Sequence, residues 1–254
     1  MSRFGRIVFA LAFVALGALT LAWRGFMDGW QPLPRALPGR EATELISGAV
    51  VLASSAALLW PRARRPAALV LAGFLAFLLL LFQGPGLAAR PLVEGLWEQA
   101  SEMLIYIAGA WMIFALAAGR GRSGARSLAV RAGQIAFALA LPAIGLSHMF
   151  YLNLTVPLIP TWLPFHVALA WFTGAAHIAA GVAILVGIVP RLAATLEAVM
   201  TSLFTIIVWP PALIAAPAIR SNWSEICVSA AIAGAAWLVA GSFAGRPWGL
   251  ARRR

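Results

Sequence analysis

The sequence predicts an all-α integral membrane protein of eight transmembrane helices, arranged as two parallel four-helix bundles with both termini cytoplasmic. Three observations carry that expectation. Of 254 residues, 62% are hydrophobic and 11% charged, whereas a soluble domain carries roughly 25% charged residues. Eight apolar runs approach or exceed the about 20 residues that a helix needs to cross the hydrocarbon core. The second half also repeats the first at a shift of 126 residues. Alternating patterns suited to barrel strands are absent from the sequence, so helices are the form that satisfies the backbone in lipid.

The first run, Phe4 to Trp23, follows Arg3 and Arg6 and has the outline of a signal peptide. Its counterpart, Gln134 to Tyr151, is internal and no small-x-small cleavage site follows Trp23, so the segment is expected to be retained. The second run, Ala42 to Trp60, stops at Arg62, Arg64 and Arg65, and the third, Ala67 to Phe82, is the shortest. The fourth, Ser101 to Ala118, leads into a Gly-, Ser- and Arg-rich linker reaching Leu128, which reads as a cytoplasmic connection between the two bundles. Val167 to Val189, Leu192 to Trp209 and Trp223 to Ser242 complete the set. The corresponding domains are a degenerate first repeat at 1–120, a second repeat at 129–246 and a basic cytoplasmic tail at 247–254.

All 19 basic residues are arginine, against 7 Glu and one Asp. They fall in short breaks between apolar runs, 14 on one side and 5 on the other. Cytoplasmic loops carry the excess, which sets the orientation. A basic nucleic-acid face would instead cluster on a soluble surface, so no nucleic-acid partner is expected; the lipid bilayer is. Trp23, Trp97, Trp162, Trp209 and Trp223 mark the arginine-poor ends and Trp60 an arginine-rich one, as interfacial rings do. Trp111 and Trp237 fall inside helices and should pack. The single cysteine, Cys227, excludes an intramolecular disulfide, a Cys-x-x-Cys pair and a thiolate cluster. It reads as a small apolar residue of the last helix, and no metal site is expected.

The duplication rests on residues that chance does not supply cheaply. Pro34, Leu37 and Pro38 match Pro160, Leu163 and Pro164; Gly48 matches Gly174; Arg65 matches Arg191; Trp97 and Trp111 match Trp223 and Trp237. The first helix needs a shift of 128, which aligns Ile7, Phe9 and Gly17 with Ile135, Phe137 and Gly145. An even number of helices per unit relates the repeats by an axis along the membrane normal.

Polar groups inside lipid are costly, so each is a site candidate. Ser147 and His148 stand near the arginine-poor end of the fifth helix, and His177 lies roughly 15 Å below the start of the sixth. They either line one cavity or serve as hydrogen-bonding glue between helices. Glu197, alone in the seventh helix, either snorkels to the cytoplasmic side with an arginine partner or relays protons to a site above it. The other acids fall in or beside the arginine-poor loops. The uncharged loop Tyr151 to His166, with Asn153, Pro157, Pro160, Trp162 and Pro164, reads as a hydrophobic lid or an interfacial anchor. Its partner, Arg24 to Arg40, reads as a solvated rim. Tyr151 and Trp162 join Ser147, His148 and His177 as candidate ligand contacts. Asn153-Leu154-Thr155 and Asn222-Trp223-Ser224 have glycosylation spacing, which matters only in a eukaryotic secretory route.

Gly145-x-x-His148-x-Phe150, Pro160-x-Trp162-Leu163-Pro164, Gly174 with a polar residue three on, Gly181, Leu185 and Arg191-x-Ala193-Ala194 together resemble the DoxX family of four-helix membrane proteins. The resemblance covers about 110 residues of the second half and, through the duplication, the first half as a degenerate copy. An acid common in that family three residues after the second-helix glycine is His177 here and Val51 in the first copy, and the first-helix histidine becomes Thr20 there. The resemblance implies a bacterial inner-membrane protein, an oxidoreductase subunit linked to a partner redox enzyme, that binds quinone or another small apolar ligand. Haem ligation by His148 and His177 is chemically possible, but no cofactor signature accompanies it. The alternatives are a non-catalytic scaffold for a partner enzyme and a small-molecule transporter. No Gly/Pro break at matching positions of both halves is expected, which counts against the transporter.

Overall fold

A computed structural model describes residues 2–25, 38–117 and 123–249, and among them every regular element is helical. The rim loop at 26–37, the beginning of the linker at 118–122 and the end of the tail at 250–254 lie outside the described residues, and with them Pro34 and Leu37 of the loop motif. Eight long helices follow one another. They are α1 (Ser2–Trp23), α2 (Arg40–Ala57), α3 (Arg64–Leu78), α4 (Glu94–Ala117), α5 (Ser123–Phe150), α6 (His166–Val186), α7 (Pro190–Leu203) and α8 (Arg220–Ser242).

Seven of these regions are long and apolar enough to cross a membrane. The exception is α2, which starts two residues before its apolar run and so adds Arg40 and Glu41 to Glu44 of that run; Arg40 Nε sits 2.8 Å from Glu44 Oε1. Large apolar side chains on the outer faces are bare, Leu80, Phe172 and Ile206 each being about two-thirds exposed or more. The interior is rich in alanine, with leucine, isoleucine, methionine and a few aromatics among the rest, as expected where lipid covers the outside and small residues let helices approach.

The third helix is not short. Helical structure continues from Leu78 through a π turn at Leu79–Gln83 into Gly84–Ala89. The apolar window ends at Phe82 because Gln83, Gly84 and Pro85 follow, yet proline is tolerated in the first turn of a helical stretch, so the chain stays helical. Helix α7 does the same at the matching place, through a π turn at Phe204–Val208 into Trp209–Ala215, where Pro210 and Pro211 enter. Both extensions end in the same backbone, Arg90 at φ −136°, ψ 62° and Ala216 at φ −142°, ψ 68°. The expectation that the halves lack matching breaks is therefore corrected. Prolines that look like loop residues in sequence mark paired helix interruptions.

Helix pairing repeats in the two halves. Helix α1 packs along α2, as α5 does along α6, and α3 along α4, as α7 does along α8. The first helix of each half also lies against the last helix of the other, α1 on α8 and α5 on α4, with α4 and α8 touching at the centre. Individual contacts recur in register. Trp97 Nε1–H donates to Pro91 O at 2.8 Å and Trp223 Nε1–H to Pro217 O at 2.9 Å. Gly48 lies against Thr20 and Leu21, and Gly174 against His148 and Met149. Arginines gather at one end of the bundle. Arg131 donates to the last carbonyls of α6, Ile184 O and Leu185 O, where a cation suits the helix dipole.

Candidate functional site

Helices α5, α6 and α7 bring three polar side chains together within the membrane-spanning region. Close approach comes first. A Cβ on Gly145 would collide with Gly174 O, and one on Gly181 would lie 2.7 Å from Ala138 O, so only glycine lets α5 and α6 touch along their backbones. That contact sets the rings of His148 and His177 edge to face, centroids 5.2 Å apart. Phe204, the first residue of the π turn in α7, stands 6.1 Å from each.

His177 Nδ1 lies 2.8 Å from Glu197 Oε1, with His177 2% and Glu197 1% exposed. The expected arginine partner for Glu197 is not what the structure shows. Arg191 turns away instead, donating to Arg246 O at 2.9 Å and covering the ring of Trp248 at 3.9 Å. Glu197 points inward because its position on α7 faces α6, too deep for its short side chain to reach the helix end. At the corresponding positions the first half has Val51 and Leu71, both fully buried. Corresponding positions thus hold a hydrogen-bonded His–Glu pair in one half and two buried apolar side chains in the other.

Hydrogen bonding fixes what the site can offer. Thr173 Oγ1–H donates to Ala170 O at 3.1 Å, so the 2.9 Å contact between His148 Nδ1 and Thr173 Oγ1 has the imidazole N–H as donor. Nε2 of His148 is then an acceptor. His177 Nε2 is buried without a partner, as is Glu197 Oε2; Nε2 is a donor when the ring is imidazolium and an acceptor when a neutral ring donates Nδ1–H to the carboxylate. The arrangement presents His148 Nε2 as an acceptor and leaves His177 Nε2 and Glu197 Oε2 unpartnered among apolar neighbours. A haem does not fit between these histidines. Their rings pack edge to face with centroids 5.2 Å apart, leaving no room for a porphyrin between them.

The other sequence candidates lie elsewhere. Ser147 Oγ–H bonds back to Ile144 O at 2.8 Å within its own helix. Tyr151 accepts a bond from Gly95 N–H at 3.0 Å, against the start of α4. Trp162 is 68% exposed and Phe165 81%. The uncharged loop forms a short helix at Leu152–Thr155 and keeps these rings outward, the arrangement of an interfacial anchor. Asn222 Nδ2–H donates to Ala212 O and Ala216 O, each at 3.0 Å, closing the extension of α7. A shallow apolar groove of about 480 Å³ runs along the side of α6 turned away from His177, between Met149 and Ile188.

Sequence reasoning missed a second polar group. Helix α4 begins at Glu94 and not near Ser101, which moves Glu94 and Glu98 from a loop onto the helix that already held Glu102. With Tyr106 they recur every fourth residue and share one face. Glu225 of α8 adjoins them, within electrostatic reach of Glu98 and Glu102. The spacing was available in the sequence, but a hydropathy window excludes acids and so hides an acidic stripe.

Comparison of the chain with family models, curated proteins and solved structures gives no match.

Proposed function

We propose that the protein is a DoxX-like subunit of a bacterial inner membrane, with both termini cytoplasmic, whose second half binds a quinone or a similar small apolar carbonyl compound at His177. One observation carries this reading: a histidine and a glutamate paired at 2.8 Å inside a membrane-spanning bundle, with His177 Nε2 buried and unpartnered. Ionisable groups at such depth are kept for a function by default.

The residues fit such a ligand through their donors and acceptors. His177 Nε2, unpartnered in the bundle, would donate to a carbonyl oxygen in the imidazolium form, which the carboxylate of Glu197 at Nδ1 stabilises. His148 Nε2 is an acceptor beside it, suited to a hydroxyl. Phe204 and the alanines of α6 exclude water, which strengthens each of these bonds. A bound quinone would supply two-electron, two-proton chemistry, its electrons coming from a partner redox enzyme.

A transporter is the second reading, favoured by the matched interruptions of α3 and α7, since paired discontinuous helices mark the binding sites of many transporters.

Purification in mild detergent followed by lipid extraction and absorption spectroscopy tests the first reading. A quinone should co-purify with the wild type and be lost from His177→Ala. If nothing co-purifies, and His148→Ala with His177→Ala changes neither stability nor phenotype, the non-catalytic scaffold replaces it.

A further inference from the structure

The acidic stripe of α4 lies apart from the histidine site, and its chemistry calls for a ligand of its own. Glu94, Glu98 and Glu102 descend from the arginine-poor end at one-turn intervals, Glu225 faces them from α8, and Tyr106 closes the bottom. Among the described residues the ion pairs are Arg24–Glu41, Arg40–Glu44 and His177–Glu197, and none of these four carboxylates takes part. Carboxylates crowded in a membrane interior do not stay charged without a counter-charge.

An independent observation sits at the floor. Tyr106 is fully buried, its hydroxyl has no hydrogen-bond partner, and that hydroxyl lies in the field of Glu102, Glu225 and Glu98. An orphaned buried hydroxyl is costly, and here it is turned towards the carboxylates. Beneath it the ring of Phe13 meets the Tyr106 ring edge to face at 5.5 Å.

The form of the cluster selects the cation. Among the described residues no three His, Cys, Asp or Glu side chains converge closely enough to hold a metal ion. Successive carboxylates on α4 are instead about 6 Å apart along the axis, the reach of an extended four-carbon diamine. An ammonium group brings its own N–H donors to separate carboxylates and also favours an aromatic floor.

We propose that Glu98, Glu102, Glu225 and Tyr106 form a binding site for protonated alkyl amines, with short diamines as its preferred ligands. The carboxylates take the ammonium groups, the Tyr106 oxygen accepts from the deepest one, and Glu94 marks the entrance.

The test uses the full-length protein in lipid nanodiscs, titrated calorimetrically with butane-1,4-diamine, sodium or calcium. The diamine should bind saturably, at least tenfold more weakly to Glu98→Gln and Glu102→Gln and about threefold more weakly to Tyr106→Phe. A second arm needs no variant: the diamine should slow carbodiimide modification of Glu98 and Glu102 in the wild type, read by peptide mass spectrometry. Absence of saturable diamine binding, undiminished binding in both glutamine variants, absence of protection, or binding of calcium in place of the diamine would overturn the proposal.

Discussion

His177 and Glu197 meet at 2.8 Å on neighbouring helices, at positions where the first half has the buried apolar residues Val51 and Leu71. The two halves thus contain their own comparison, a buried proton-sharing pair and its apolar replacement on the same scaffold. Breaking a buried pair by removing one partner typically costs 3–5 kcal/mol, whereas replacing both with apolar residues is often neutral or stabilising. Glu197→Leu alone should therefore destabilise the bundle by about 3 kcal/mol, and His177→Val with Glu197→Leu should recover most of that loss. Unfolding by denaturing detergent measures the cycle; additive losses would show that the two side chains do not act as a unit.

Close packing of α5 on α6 holds the histidines together. Gly145→Ala would drive a methyl into Gly174 O and should cost about 2 kcal/mol, while also weakening ligand binding at His177. A Cβ on Gly73 would meet nothing within 4 Å, so Gly73→Ala should be neutral or stabilising by about 0.5–1 kcal/mol. Equal gains for the two would mean that helix propensity and not interhelical contact governs these sites.

The orientation proposed from the arginines is open to direct labelling. In a Cys227→Ser background, Arg90→Cys should react with a membrane-impermeant maleimide in intact spheroplasts, and Arg62→Cys only after lysis. The reverse pattern would place the termini outside.

Much of the fold is legible in the sequence because lipid imposes a length and a hydropathy on each crossing. The runs ending at Trp23 and Ser242 match α1 and α8 closely. Misjudged boundaries share a cause. Gln83 to Gly86 and Trp209 to Pro211 look like helix ends, yet the π turns carry the chain on, and Glu94 to Ala100 look like loop because acids depress any hydropathy window. The candidate site was legible as separate polar residues on the fifth, sixth and seventh helices. What the sequence does not contain is their rotation about each helix axis. That rotation decides that Glu197 meets His177 and not Arg191, that Tyr151 meets Gly95, and that Ser147 bonds its own backbone.

The most direct measurement is an equilibrium titration of a short-chain quinone, followed by tryptophan fluorescence, into nanodiscs holding either the wild type or the doubly apolar His177→Val, Glu197→Leu variant. The variant keeps the first half's own solution to the same packing, so loss of binding is separable from loss of fold. The wild type should bind saturably and the variant at least tenfold more weakly. Equal affinities, or no saturable binding to the wild type, would contradict a ligand-binding role for the pair.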